Sequence, residues 1–206
     1  MVHRFFGLLV LFSTGAAVAA PRTYEVDEAR SSASAHLGKT GIFSFAGHEH
    51  VILAQKMQGE VVLDAEDLAQ SSVDVVVDAR SLKVRPEGEP EGDAPKVEQA
   101  MRAPNQLDVD AHRTIHFRST QVTGKQAGPG AFQLSVAGEL TLHGTTRPFT
   151  VPIQVTTQEG GLLASGKFVL KLTDFGIEPT GAAGGTVKVE NDVPVELKIA
   201  AREVRR

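Results

Sequence analysis

The 206-residue chain contains no cysteine, no tryptophan and a single tyrosine, Tyr24. Without cysteine there is no disulfide, no thiolate nucleophile and no thiolate metal ligand, so stability rests on packing and hydrogen bonds alone. No basic patch interleaved with aromatics occurs, and 21 Lys and Arg against 25 Asp and Glu leave a formal net charge of −4. That balance argues against nucleic acid as a partner. A G-x-S-x-G nucleophile elbow is missing too, and Asp174 in LTDFGI lacks the glycine-rich loop, lysine and catalytic loop of a kinase. No catalytic residue is assigned and no enzyme is expected. Beyond the first twenty residues no apolar run approaches the roughly 20 residues that a membrane helix needs, so stable membrane insertion is not expected.

What is present begins with MVHRFFGLLVLFSTGAAVAA, a short basic start, an apolar run from Phe5 to Phe12, and small residues around Ala17-Val18-Ala19. This pattern reads as a cleaved signal peptide over residues 1–20, with a periplasmic or secreted protein following it. Residues 21–206 have a length that fits one domain.

In the remainder the strongest signal is alternation with a period of two. In FQLSVAGELTL, from Phe132 to Leu142, even positions are apolar or glycine and odd positions mostly polar or small. The same rule picks out Val73, Val75 and Val77; Ile115 and Phe117; Phe149, Val151, Ile153 and Val155; Leu162, Ala164, Phe168 and Leu170; and Val193, Val195, Leu197 and Ile199. Each set predicts a strand with one greasy face. Clusters at Gly124 to Gly130, His143-Gly144, Glu159-Gly160-Gly161 and Gly181 to Gly185 punctuate them as turns. An all-β antiparallel meander of about eight strands follows, closed as a barrel or folded as a sandwich. One short helix is predicted at Lys96–Arg102, between Pro95 and Pro104, with Val97 and Met101 on one face. The acidic stretch RPEGEPEGDAPK before it reads as a solvated connection.

Two stacked sheets would fill the greasy space with their own side chains, whereas a closed barrel can leave a lumen. The inward candidates are hydrocarbon, so the natural occupant of a lumen is a hydrocarbon chain. Candidate lumen residues are Phe43 and Phe45, Ile115 and Phe117, Phe132, Leu134 and Val136, Phe149 and Val151, and Phe168 and Leu170.

The opening TYEVDEARSSASAHLGKTGIFSFAGHEH, then LDVDAHRTIHF, VAGELTLHGTTRPFTVPI and LTDFGI, in that order, resemble the YceI-like family, in particular a subgroup with a glycine-histidine-x-histidine turn. GELTLHGTTRPF is the most specific piece. The resemblance implies a lipocalin-like antiparallel β-barrel holding a long-chain isoprenoid, quinone or other amphiphilic lipid, and it suggests a bacterial periplasm. No cofactor is expected, and a homodimer stays open.

His48 and His50 of GHEH project to one side of an extended chain and are a candidate metal pair, with the bland alternative that they cap a strand end at a barrel mouth. An i, i+2 pair without a third ligand is a weak metal signature, so no metal site is assigned. At a mouth, His48, His50 and Arg147 would be headgroup contacts; Arg147 is equally explained as a solvated strand-end charge. Two rival functions follow: a metal-binding protein or metal-dependent enzyme centred on His48 and His50, and a filled sandwich acting as an interaction module for a membrane redox partner.

Overall fold

The structure, a computed structural model, describes residues 20–40, 49–179, 181–182 and 187–204. Phe43, Phe45 and His48 lie outside the described residues. The first half of the chain makes short strands, β1 (Arg22–Val26), β2 (Ser32–Leu37), β3 (Lys39–Thr40), β4 (His50–Ala54), β5 (Met57–Leu63), β6 (Ser72–Asp78) and β7 (Lys83–Val84). After α1 (Asp93–Arg102) the strands are long: β8 (Thr114–Gly128), β9 (Ala131–Leu142), β10 (Thr145–Gln158), β11 (Gly161–Lys171) and β14 (Asp192–Glu203), with the small strands β12 (Gly181–Ala182) and β13 (Val187–Val189) between the last two.

Pairing runs β1-β5-β6-β8-β9-β10-β11-β14, and β14 returns to β1 through Tyr24↔Glu203 and Val26↔Ala201. Every pairing is antiparallel, so the result is a closed eight-stranded barrel with no free edge around its girth. Three positions in the ring are shared by two strands each. β2 takes over from β1 along β14 (Leu197↔Ala33) after the 3₁₀ turn Glu28–Arg30; β4 and β7 likewise extend past β5 and β6, through Ala35↔Ile52 and Ile52↔Val84. The barrel therefore has two unequal ends. Leu63, Gly128, Gln158 and Glu203 mark the closed one; Leu37, His50, Val84 and Leu142 mark the other.

Of the expected turn at Gly124 to Gly130 only Pro129-Gly130 turns, because β8 continues to Gly128; the turn at His143-Gly144 is as the sequence predicts. At His143-Gly144 both residues have positive φ, 50° and 68°, which a two-residue hairpin between Leu142 and Thr145 requires. In β8 a register shift between Ser119 and Gln121 inserts one residue, so Ile115 and Phe117 face inward at odd positions and Val122 at an even one.

The helix begins at Asp93, three residues before its expected start. Pro95 sits in the first turn, where a missing N–H costs nothing, so it does not stop the helix. Val97 and Met101 pack with Val84 of β7 and Ile115 of β8, so α1 covers the side of the barrel where these two strands diverge. Its outer side is held by Glu98, whose carboxylate accepts from Lys83 Nζ (3.0 Å) and from the Val84 amide (3.1 Å). No helix among the described residues is long and apolar enough to cross a membrane.

Candidate ligand cavity

Inside the ring lies a cavity of about 760 Å³, in the upper half of the range usual for small-molecule sites. A filled sandwich, the rival expected from sequence, is ruled out by the closed ring. The parity sets supply the wall: Val73, Val75 and Val77 from β6; Leu134, Val136, Leu140 and Leu142 from β9; Val151, Ile153 and Val155 from β10; and Val193, Val195, Leu197 and Ile199 from β14.

Of the expected lumen residues, Ile115, Phe117, Leu134, Val136, Phe149, Val151, Phe168 and Leu170 line this cavity. The Phe149 and Phe168 rings meet edge to face, with centroids 5.4 Å apart and planes at 73°, a geometry that aromatic quadrupoles favour. Phe132 does not line it. It follows the inward parity but lies near the start of β9 opposite Val155, 3% exposed, and packs with Tyr24 (1%) and Leu162 (0%) in the core of the closed end. Leu162 borders the cavity, whereas Tyr24 and Phe132 pack in the same cluster without reaching it. Burial, and then the charge of Glu203, push the Tyr24 hydroxyl pKa above its ordinary value.

Other lining residues were missed by the sequence-based site assignment. Ile52, Leu82, Val97 and Met101 wall the cavity at the open end. For Val97 and Met101 the i, i+4 spacing was the available signal; Ile52 sits in a strand too short to show alternation, and Leu82 in the connection leading into β7.

The open end is where polar groups gather. Lys39, His50, Gln106 and Lys188 border the cavity there, and no carboxylate does among the described residues. His50 Nδ1 lies 2.9 and 3.0 Å from the two carboxylate oxygens of Glu89, whose side chain is only 4% exposed. The acidic stretch expected to be a solvated connection is thus tied down at this point. Arg147 is exposed, stands outside the cavity lining and donates from Nε to the Asp174 carbonyl (3.0 Å), anchoring the 3₁₀ turn Leu172–Phe175. His116 turns outward to Asp74 (2.8 Å), as parity requires, and His143 Nδ1 donates to the Phe175 carbonyl (3.2 Å). Among the described residues no group of three or more His, Asp or Glu gathers to hold a metal.

A closed antiparallel barrel with an apolar interior, a plugged floor and a polar rim is a lipocalin-like barrel. Within that class the chain belongs to the YceI-like domain family, whose profile matches residues 24–201. A UPF0312 protein of Vibrio cholerae (strain Classical Ogawa 395) is 35% identical over 134 residues, 62% of this chain and 65% of that protein's own length. The chain thus matches a little less than two thirds of this relative. A UPF0312 protein of Vibrio campbellii is 28% identical over 183 residues, covering 84% of this chain and 90% of the relative. Among solved structures, Burkholderia cenocepacia BcnA superposes with a TM-score of 0.65 at 20% identity, over 85% of this chain and 98% of that one. A polyisoprenoid binding domain from Saccharophagus degradans, implicated in plant cell wall breakdown, gives 0.64 at 12% identity, over 88% and 98%. These likenesses establish the fold.

Proposed function

We propose that the protein is an exported carrier that holds one long hydrocarbon chain, an isoprenoid, quinone tail or comparable amphiphile, inside the barrel and performs no chemistry on it. The observation that carries this reading is the cavity itself, about 760 Å³ walled by aliphatic and aromatic side chains from seven of the eight ring strands, all but β1. At roughly 30 Å³ for each water-sized group, it takes a chain on the order of 25 such groups, methylenes among them. Each methylene buried contributes about 0.8 kcal/mol. Association costs on the order of 4 to 15 kcal/mol, so a chain of about twenty carbons binds with a surplus and a short one does not. The polyisoprenoid-binding neighbour supports the same class of occupant. Export to the periplasm or the medium rests on the leader pattern of residues 1–20.

The test is extraction of protein purified from its own host with organic solvent, followed by mass spectrometry of the extract. A prenyl or long acyl compound near one equivalent is expected. Protein that yields none, and takes up none when offered vesicles containing a polyprenyl lipid, contradicts the proposal.

A further inference from the structure

We infer that the headgroup at the mouth is anionic, a carboxylate or a phosphate; this rests on the carrier reading and narrows its ligand. Along β2 the inward-facing residues are Ala33, Ala35 and Leu37, which pack in the barrel interior, and the next residue of that parity is Lys39. Opposite Lys39 on β13 stands Val189, so the two side chains share a face, and both border the cavity. The strand thus presents hydrocarbon and then, at the rim, an ammonium. Lys188 is a second cation bordering the same end.

Neither lysine forms an ion pair among the described residues, and no carboxylate of those residues lines the cavity, in a chain whose net charge is negative. The remaining ionisable lining group, His50, is held by Glu89. A half-buried lysine at the end of a greasy channel, with no carboxylate within 4 Å of its ammonium among the described residues, is matched by a ligand that brings one. A compact ammonium with three donors suits carboxylate and phosphate oxygens alike.

Matched twenty-carbon ligands test this in the full barrel chain: geranylgeranyl phosphate, icosanoic acid and the neutral alcohol geranylgeraniol, each competed against a fluorescent fatty acid. The phosphate, the carboxylate or both bind about tenfold tighter than the alcohol, the strength expected of one charge-assisted contact, and their order identifies the headgroup. Lys39→Gln removes or sharply reduces that preference, and Lys39→Arg keeps it. Equal affinity for all three ligands, or a preference untouched when Lys39→Gln and Lys188→Gln are combined, overturns the anionic headgroup held by the rim lysines and leaves the carrier intact. If none of the three binds, the carrier reading falls, and the headgroup with it.

Discussion

The imidazole of His50 and the carboxylate of Glu89 are joined across 39 residues, with Nδ1 at 2.9 and 3.0 Å from the two oxygens. This bond fastens the acidic connection preceding α1 to the rim strand β4. A hydrogen bond to a charged group contributes about 1.5 to 3 kcal/mol, and Glu89 is nearly inaccessible where it makes one. Glu89→Ala is expected to lower stability by about that amount and to speed amide exchange at the start of α1. Glu87→Ala, an exposed glutamate two residues earlier, serves as the control and changes stability by less than about 0.5 kcal/mol. Equal effects of the two substitutions in urea unfolding refute the role of the pair.

Leu162 is fully buried yet borders the cavity near the closed end, in the same core cluster as Tyr24 and Phe132. Truncation to alanine removes floor packing, which costs about 2 to 5 kcal/mol, and it also deepens the channel. Chain-length preference should therefore shift by a few carbons toward longer ligands, measured by competition across a fatty-acid series. A stability loss with no change in preferred length places the floor elsewhere.

Asp78 gives an acid-dependent signature. Its carboxylate accepts from the Arg80 amide at 3.0 Å, capping a 3₁₀ turn, and from Arg80 Nε at 3.1 Å. The Arg80 side-chain hydrogen bond is the main cause holding the Asp78 pKa below the usual carboxylate range. A depressed folded-state pKa means the stabilisation is complete above the unfolded value and is lost as pH falls through the folded one. Asp78→Asn is thus expected to be destabilised at neutral pH, by no more than about 1 kcal/mol for an exposed cap and ion pair, with the deficit shrinking in strong acid. A deficit that stays constant between neutral pH and pH 2 rules the charge out as its source.

Much of the barrel was legible because β9, β10, β11 and β14 are each buried on one face only, and period-two parity reports which face a residue takes. It does not report height along the barrel axis. Nor does it report whether an inward side chain reaches the cavity: Phe132, correct in parity, is packed in the core cluster and does not line it. The short strand β4 carries too few residues to establish a rhythm, which hid Ile52, and Leu82 lies in the connection between a 3₁₀ turn and β7, where no period applies. Lys39 was obscured by its charge: a polar residue continuing an apolar parity reads as the end of a strand. The partnership of Glu89 with His50 is non-local and leaves no trace in spacing.

Ala164 is the next inward position after Leu162 on β11, opposite Val155 and Ile199 on the neighbouring strands. Replacing it with phenylalanine projects a ring into the channel, and the measurement that tests the hollow barrel most directly is uptake of a fluorescent long-chain fatty acid by the wild type and by Ala164→Phe. Saturable binding of one equivalent by the wild type, weakened at least tenfold by about 1.4 kcal/mol of lost burial in a variant that still melts cooperatively, is the predicted result. Undiminished uptake by Ala164→Phe, or none by the wild type, would contradict it.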